Sequence, residues 1–142
     1  MLFGSNRDQL RQMWMDAWST YKEGKQLIPL QQELVNIIKL HPEYIEILES
    51  AEEALGKEYL PEMGETNPFL HMSMHQGIHE QLSSNRPAGI REIYDSLVQK
   101  YENPHEVEHR MIDCLAESIW EAQRYGQPPD EQKYLAWLKE LL

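Results

Sequence analysis

NPHEVEHRMIDCLAESIWEAQRYG, residues 103–126, is the stretch on which the fold turns. Asn103 is a residue whose side-chain oxygen can accept the orphan N–H groups of a first helical turn. Pro104 suits the first helical position, and with Glu106 the opening resembles a capping box with Asn in the cap position. Gly126 is a natural stop. Between these signals Ile112, Leu115 and Ile119 return at three- and four-residue intervals, and Ala116 and Trp120 extend the stripe on one side. The spacing predicts one helix from the Asn103 cap to about Tyr125.

The same punctuation recurs in both directions along the chain. Pro128, Pro129 and Asp130 open a last helix through Tyr134, Leu135, Trp137, Leu138 and Leu141. Upstream, Ile90 to Tyr101 reads as a short helix with Ile90, Ile93, Tyr94, Leu97 and Val98 inward, and Ser83 to Pro87 breaks the helix before it. That earlier helix starts at the Asn67 cap with Pro68 in its first turn and runs to about Leu82, with Leu70, Met74, Ile78 and Leu82 on its apolar arc. Glu58 to Thr66, holding Pro61 and Gly64, reads as a connector. A third helix is expected from Pro42, with Tyr44, Ile45, Leu48, Ala51 and Leu55 on one face and Gly56 after it. A second runs from Pro29 to His41 with Leu30, Leu34, Ile37 and Ile38. The first runs from Asn6, capped by Ser5 or Asn6, to about Lys22, carrying Leu10, Met13, Trp14, Ala17, Trp18 and Tyr21 before Gly24. The four tryptophans, Trp14, Trp18, Trp120 and Trp137, are expected in the core. No alternating run suggests a strand. The expectation is an all-α, compact helical bundle of about six to seven helices with short loops, formed as a single helical domain over residues 1–142.

Composition narrows the function classes. The chain has 142 residues and a formal charge of −11, a sign that repels phosphate backbones and argues against nucleic acid. Mean hydropathy is −0.66, and no run approaches the roughly 20 apolar residues of a membrane span. The opening MLFGSNRDQL shows no basic start followed by an apolar stretch, so a cytoplasmic location is expected. The lone Cys114 cannot form an intrachain disulfide and reads as a small core hydrophobe. Acid is concentrated between Glu43 and Glu65, where eight glutamates face one base, Lys57. That stretch reads as solubilising surface or as a docking face for a basic protein partner. Arg86 and Arg91 read as solvated surface, with pairing to the acidic face or anion binding as alternatives.

Five of the six histidines fall in two of the expected helices. At about 100° per residue, His71 lies within the apolar arc of its helix, His75 just past the edge and His79 further toward solvent. Gly77, mid-helix, can let another helix approach closely beside His75. On the later helix His109 lies between Ala116 and Trp120 in angle, Asp113 beyond it and Glu117 beyond that, while His105 sits near the same face one turn earlier. Two histidines four apart on one helix project side by side and can hold one metal ion. His71, His75, His109 and Asp113 form the candidate ligand set, with Glu117 as an alternative fourth ligand or as acceptor of an imidazole N–H. Such nitrogen and oxygen donors suit Zn, Fe(II), Mn or Ni, and Glu117 is also the candidate general base of a metal-dependent reaction. Beside this stand two plainer readings, in which the histidines pair with carboxylates such as Asp113 or Glu117 in a buried polar network, or are exposed and unrelated to one another. The Glu106–His109 pair has no second copy, which argues against a di-iron bundle. HExxH, a Gly-rich phosphate loop and nucleophile-elbow surroundings for Ser73, Ser96 or Ser118 are absent.

The blocks SNRDQLRQM (5–13), HPEY (41–44), TNPFLH (66–71) through Glu80-Gln81, RPAGI (86–90) and HRMIDCLAE (109–117) through WEAQ (120–123) resemble the DUF1841 family of small bacterial proteins of unknown function. The likeness covers nearly the whole chain and implies a bacterial cytosolic origin. It implies no activity, cofactor or catalytic residue. The residues therefore lead to a bundle acting through protein interactions, with a buried histidine–carboxylate cluster, and alternatively to a metal-binding bundle.

Overall fold

The structure, a computed structural model, describes residues 3–50, 54–55 and 67–142. All the elements among them are helical. No helix among the described residues is long and apolar enough to cross a membrane. The chain divides into two units, Met1–Ser73 and Met74–Leu142.

The first unit holds α1 (Phe3–Lys22), α2 (Pro29–Lys39), a 3-10 turn (Pro42–Tyr44), α3 (Ile45–Leu48) and the opening turns of α4 (Pro68–Ser84). Its core joins Trp14, Ala17 and Trp18 of α1 to Leu34, Val35, Ile37 and Ile38 of α2, with Leu48, Ala54, Phe69 and Met72. The indole N–H of Trp14 donates to Ser73 Oγ at 3.3 Å, and that of Trp18 to Glu49 Oε2 at 3.3 Å. Buried indoles find acceptors in this way because an unmade hydrogen bond in the interior is costly. Arg11 is buried as well, its Nη1 donating to the Ala54 carbonyl at 2.7 Å and its guanidinium over the Phe69 ring.

Several local expectations shift. α1 begins at Phe3, so Ser5 and Asn6 fall inside its first turn rather than ahead of it. Leu10, Tyr21 and Leu30 are exposed, because the inward arcs of α1 and α2 are narrower than their apolar content. The third helix is a 3-10 turn followed by one α-turn, closing where Glu49 N–H is shared between the Ile45 and Glu46 carbonyls at 3.1 and 3.3 Å. Such bifurcated bonds mark helix ends. Ala51 and the expected connector from Glu58 to Thr66 lie outside the described residues.

The second unit holds the rest of α4 with α5 (Ile90–Tyr101), α6 (Pro104–Tyr125) and α7 (Glu131–Glu140). Both α5 and α7 lie against α6, and they also touch each other. Ile78, Ile90, Ile93, Leu97, Val107, Met111, Ile112, Tyr134, Leu135 and Leu138 make this core. The caps expected at Asn103 and Asn67 are in place, and Asp130 supplies a third. Asn103 Oδ1 accepts from His105 and Glu106 N–H at the head of α6. Asn67 Oδ1 does the same for Phe69 and Leu70 in α4, and Asp130 Oδ1 accepts from Lys133 N–H in α7. Gly126 closes α6 at φ 62°, a left-handed conformation that costs glycine little. Arg91 is exposed, as expected of a surface arginine, and its Nε and Nη2 donate to the Leu82 and Ser83 carbonyls at the end of α4, at 3.0 and 2.9 Å. Gly77 faces Leu115, and a Cβ there would lie 3.8 Å from Leu115 Cδ2, ordinary contact rather than obligatory close approach.

Candidate functional site

The site of the second unit grows from two helices whose inward registers each contain a polar residue. On α4 the buried positions run Phe69, Met72, His75 and Ile78, so an imidazole occupies a slot that its neighbours fill with hydrophobes. On α6 they include Val107, Glu108, Met111 and Ile112, so a carboxylate sits one turn ahead of Ile112. Neither group is left unsatisfied. His75 Nδ1 lies 2.9 Å from Glu108 Oε1, and His79 Nε2 lies 2.7 Å from the same oxygen. An ionised carboxylate can only accept, so both ring nitrogens carry the proton and donate.

Burial by itself would raise the Glu108 carboxyl. The hydrogen bonds from His75 and His79, and the charge those rings carry when protonated, outweigh burial and hold it well below the ordinary carboxylate range, at about 2. Glu108 is therefore a fixed negative charge across the neutral range. Its field, after burial, also helps raise the phenol of Tyr94 on α5.

Around His75 the rings of α6 gather. His75 and His105 are stacked, centroids 5.2 Å apart and planes within 4°. His109 meets His75 edge-on at 4.9 Å and His105 at 4.2 Å. Each of the three can offer one ring nitrogen, and these nitrogens lie within 4.8 Å of one another. Tetrahedral coordination at about 2.05 Å would put ligand nitrogens about 3.3 Å apart, so side-chain adjustments of roughly 1 Å would gather the three rings on one ion. The donated Nδ1–H of His75 leaves the lone pair of the neutral ring on Nε2, the tautomer a metal requires.

The structure brings together only part of the sequence-derived set. His75 and His109 meet, and His75 is the most buried of the α4 histidines, at 1 % exposure. His71 is half-buried and belongs to the first unit, where its ring meets His41 edge-on at 5.0 Å and Tyr44 at 6.2 Å. His41 itself is buried, stacks on Tyr44, and places Nδ1 2.9 Å from the Ile37 carbonyl, to which it donates. Asp113 and Glu117 are exposed; the acid behind the rings is Glu108. The sequence signal for Glu108 was a charge in step with Ile112 and Leu115. The signal for His105 was its own four-residue spacing from His109. Trp120, expected in the core, is 52 % exposed and lies under the Arg124 guanidinium. Cys114 is half-buried, and burial pushes its thiol up, which suits an inert side chain. Of the acidic stretch, Glu43, Glu46 and Glu49 are exposed, while Glu52, Glu53, Glu58, Glu62, Glu65 and Lys57 lie outside the described residues.

A family model described as a domain of unknown function (DUF1841) matches residues 6–140 of the chain. No curated protein and no solved structure gives a significant match.

Proposed function

The chain belongs to the DUF1841 family, whose description assigns no chemistry, and we propose from the geometry of its second unit that it binds a divalent first-row metal ion through His75, His105 and His109. The observation that carries this reading is the convergence of three imidazoles from two helices, backed by a buried carboxylate on the outer nitrogen of one of them. Metal-bound histidines characteristically donate their other N–H to such a group, which fixes tautomer and ring orientation. A ligand set of neutral imidazoles favours zinc, nickel, copper or iron over manganese, magnesium or calcium, which prefer oxygen. Three protein ligands leave a coordination position for water, the arrangement of zinc centres that activate it.

The test is metal binding by protein carrying no affinity tag. Zn(II) or Co(II) should bind at one equivalent. Metal at about 100 times its Kd adds about 2.7 kcal/mol to stability, enough to raise Tm by several degrees. His75→Ala, His105→Ala and His109→Ala should each abolish high-affinity binding, whereas Asp113→Ala and Glu117→Ala should leave it intact. A tag-free protein that takes up no zinc, cobalt or nickel, with an unchanged Tm, would overturn the reading. The network of Glu108 with His75 and His79 would then stand as a self-sufficient polar core, the role its satisfied hydrogen bonds support.

A further inference from the structure

The fourth histidine of the second unit lies outside the ring trio. We infer that His79 is the positioning residue of the site: by holding Glu108 Oε1 it keeps the carboxylate on His75 Nδ1, and so keeps His75 in the tautomer that presents Nε2. The consequence for metal affinity rests on the metal-binding reading. The effect on the His75 ring does not, and exists in the metal-free protein.

Helix geometry supplies the first part of the argument. His75 and His79 are one turn apart on α4, so their rings project side by side. Both meet the same carboxylate oxygen from α6, at 2.9 Å and 2.7 Å. The terminal torsion of a glutamate is broad and roughly two-fold. A single donor leaves the carboxyl plane free to swing about that contact, whereas a second N–H on the same oxygen, from a different direction, pins it. The two rings also differ in setting. His75 is sealed in the interior, while the His79 side chain keeps 32 % of its surface. His79 can therefore be replaced without opening a sealed core cavity, and the His75 ring reports directly on the carboxylate that the two share.

The tautomer follows from this. A neutral imidazole chooses between two N–H positions according to the acceptors it meets. With Glu108 pinned beside Nδ1, the proton resides there. With Glu108 loosened, His75 samples the other tautomer and blocks the nitrogen that would ligate.

The experiment uses the full chain with His79→Leu and His79→Gln, the second keeping an N–H at nearly the reach of Nε2. The 15N ring shifts of His75 are read first in metal-free protein, then Zn(II) affinity by competition, then the visible spectrum of the Co(II) form. His79→Leu should mix the His75 tautomers. It should weaken Zn(II) binding by about tenfold, the lower end of the range for losing an outer-sphere partner. It should leave the Co(II) spectrum unchanged in shape, because the ligands are the same. His79→Gln should restore both the tautomer and the affinity. The tautomer decides the inference: a His79→Leu protein whose His75 keeps a single Nδ1–H form overturns it, whatever its affinity. Wild-type protein that binds no metal overturns the proposed function instead, and the tautomer comparison still decides the role of His79.

Discussion

Glu108 occupies a place in α6 where the apolar register calls for a hydrophobe, and two imidazole N–H groups make that placement stable. Its folded-state carboxyl sits at about 2, below the ordinary value of 4.5. A depressed carboxyl contributes stability in full above its unfolded value and loses it as pH falls through the folded one. The expected outcome is acid destabilisation of the metal-free protein between about pH 5 and pH 2, amounting to at most about 3 kcal/mol. Chemical denaturation across that range should show it, and Glu108→Gln should flatten the slope there. The tryptophans make the opposite case for reading burial off spacing. Trp14 is fully buried and Trp120 is 52 % exposed, although both fall on apolar stripes in sequence. Trp14→Ala should cost about 3–5 kcal/mol. Trp120→Ala should change stability by no more than about 0.5 kcal/mol. Equal losses in urea melts would contradict the difference in packing.

Among the elements, α6 bears the most chemistry, and its head is held by one side chain. Asn103 satisfies the N–H groups of His105 and Glu106, so the cap also fixes the turn from which the His105 ring projects. Asn103→Ala should cost about 1 kcal/mol in stability. If the ring trio binds zinc as proposed, this substitution should also weaken Zn(II) binding more than an equally destabilising change at the exposed end of α7, which titration of the two variants side by side would measure. α4 shows how a helix can carry two plausible stripes. Leu70, Met74, Ile78 and Leu82 make one, yet Leu70 is exposed and Met74 and Leu82 are half-buried. The face that turns inward runs Phe69, Met72, His75 and Ile78. Scoring histidine as polar hides that second stripe. Once His75 is accepted as a buried residue with a partner, the period is regular.

At the scale of the whole chain, one family model matches residues 6–140, and the division between the two units falls inside the continuous helix α4. A helix is cooperative along its length. We therefore expect one thermal transition rather than two. Tryptophan fluorescence, in which Trp14 and Trp18 report on the first unit, should coincide with the amide signals of α6 and α7 from the second. Separated midpoints would show that the units melt independently.

Features that depend on a few neighbouring residues can be read straight from the chain. The Asn67 and Asn103 caps, the stop at Gly126 and the all-helical class were legible, because capping and periodicity act within a turn or two. The family likeness was legible for the same reason, in short blocks of residues. Which face of each helix turns inward, and so which side chains gather at the candidate site, comes instead from contacts between segments far apart in the chain. His105 and Glu108 replace Asp113 and Glu117 beside His75 and His109, and His71 turns instead to His41. The physical reason is that a buried imidazole or carboxylate is tolerated only where a partner from another segment satisfies it. That partner is set by how helices far apart in sequence meet, and hydropathy along one strand of chain carries no record of it.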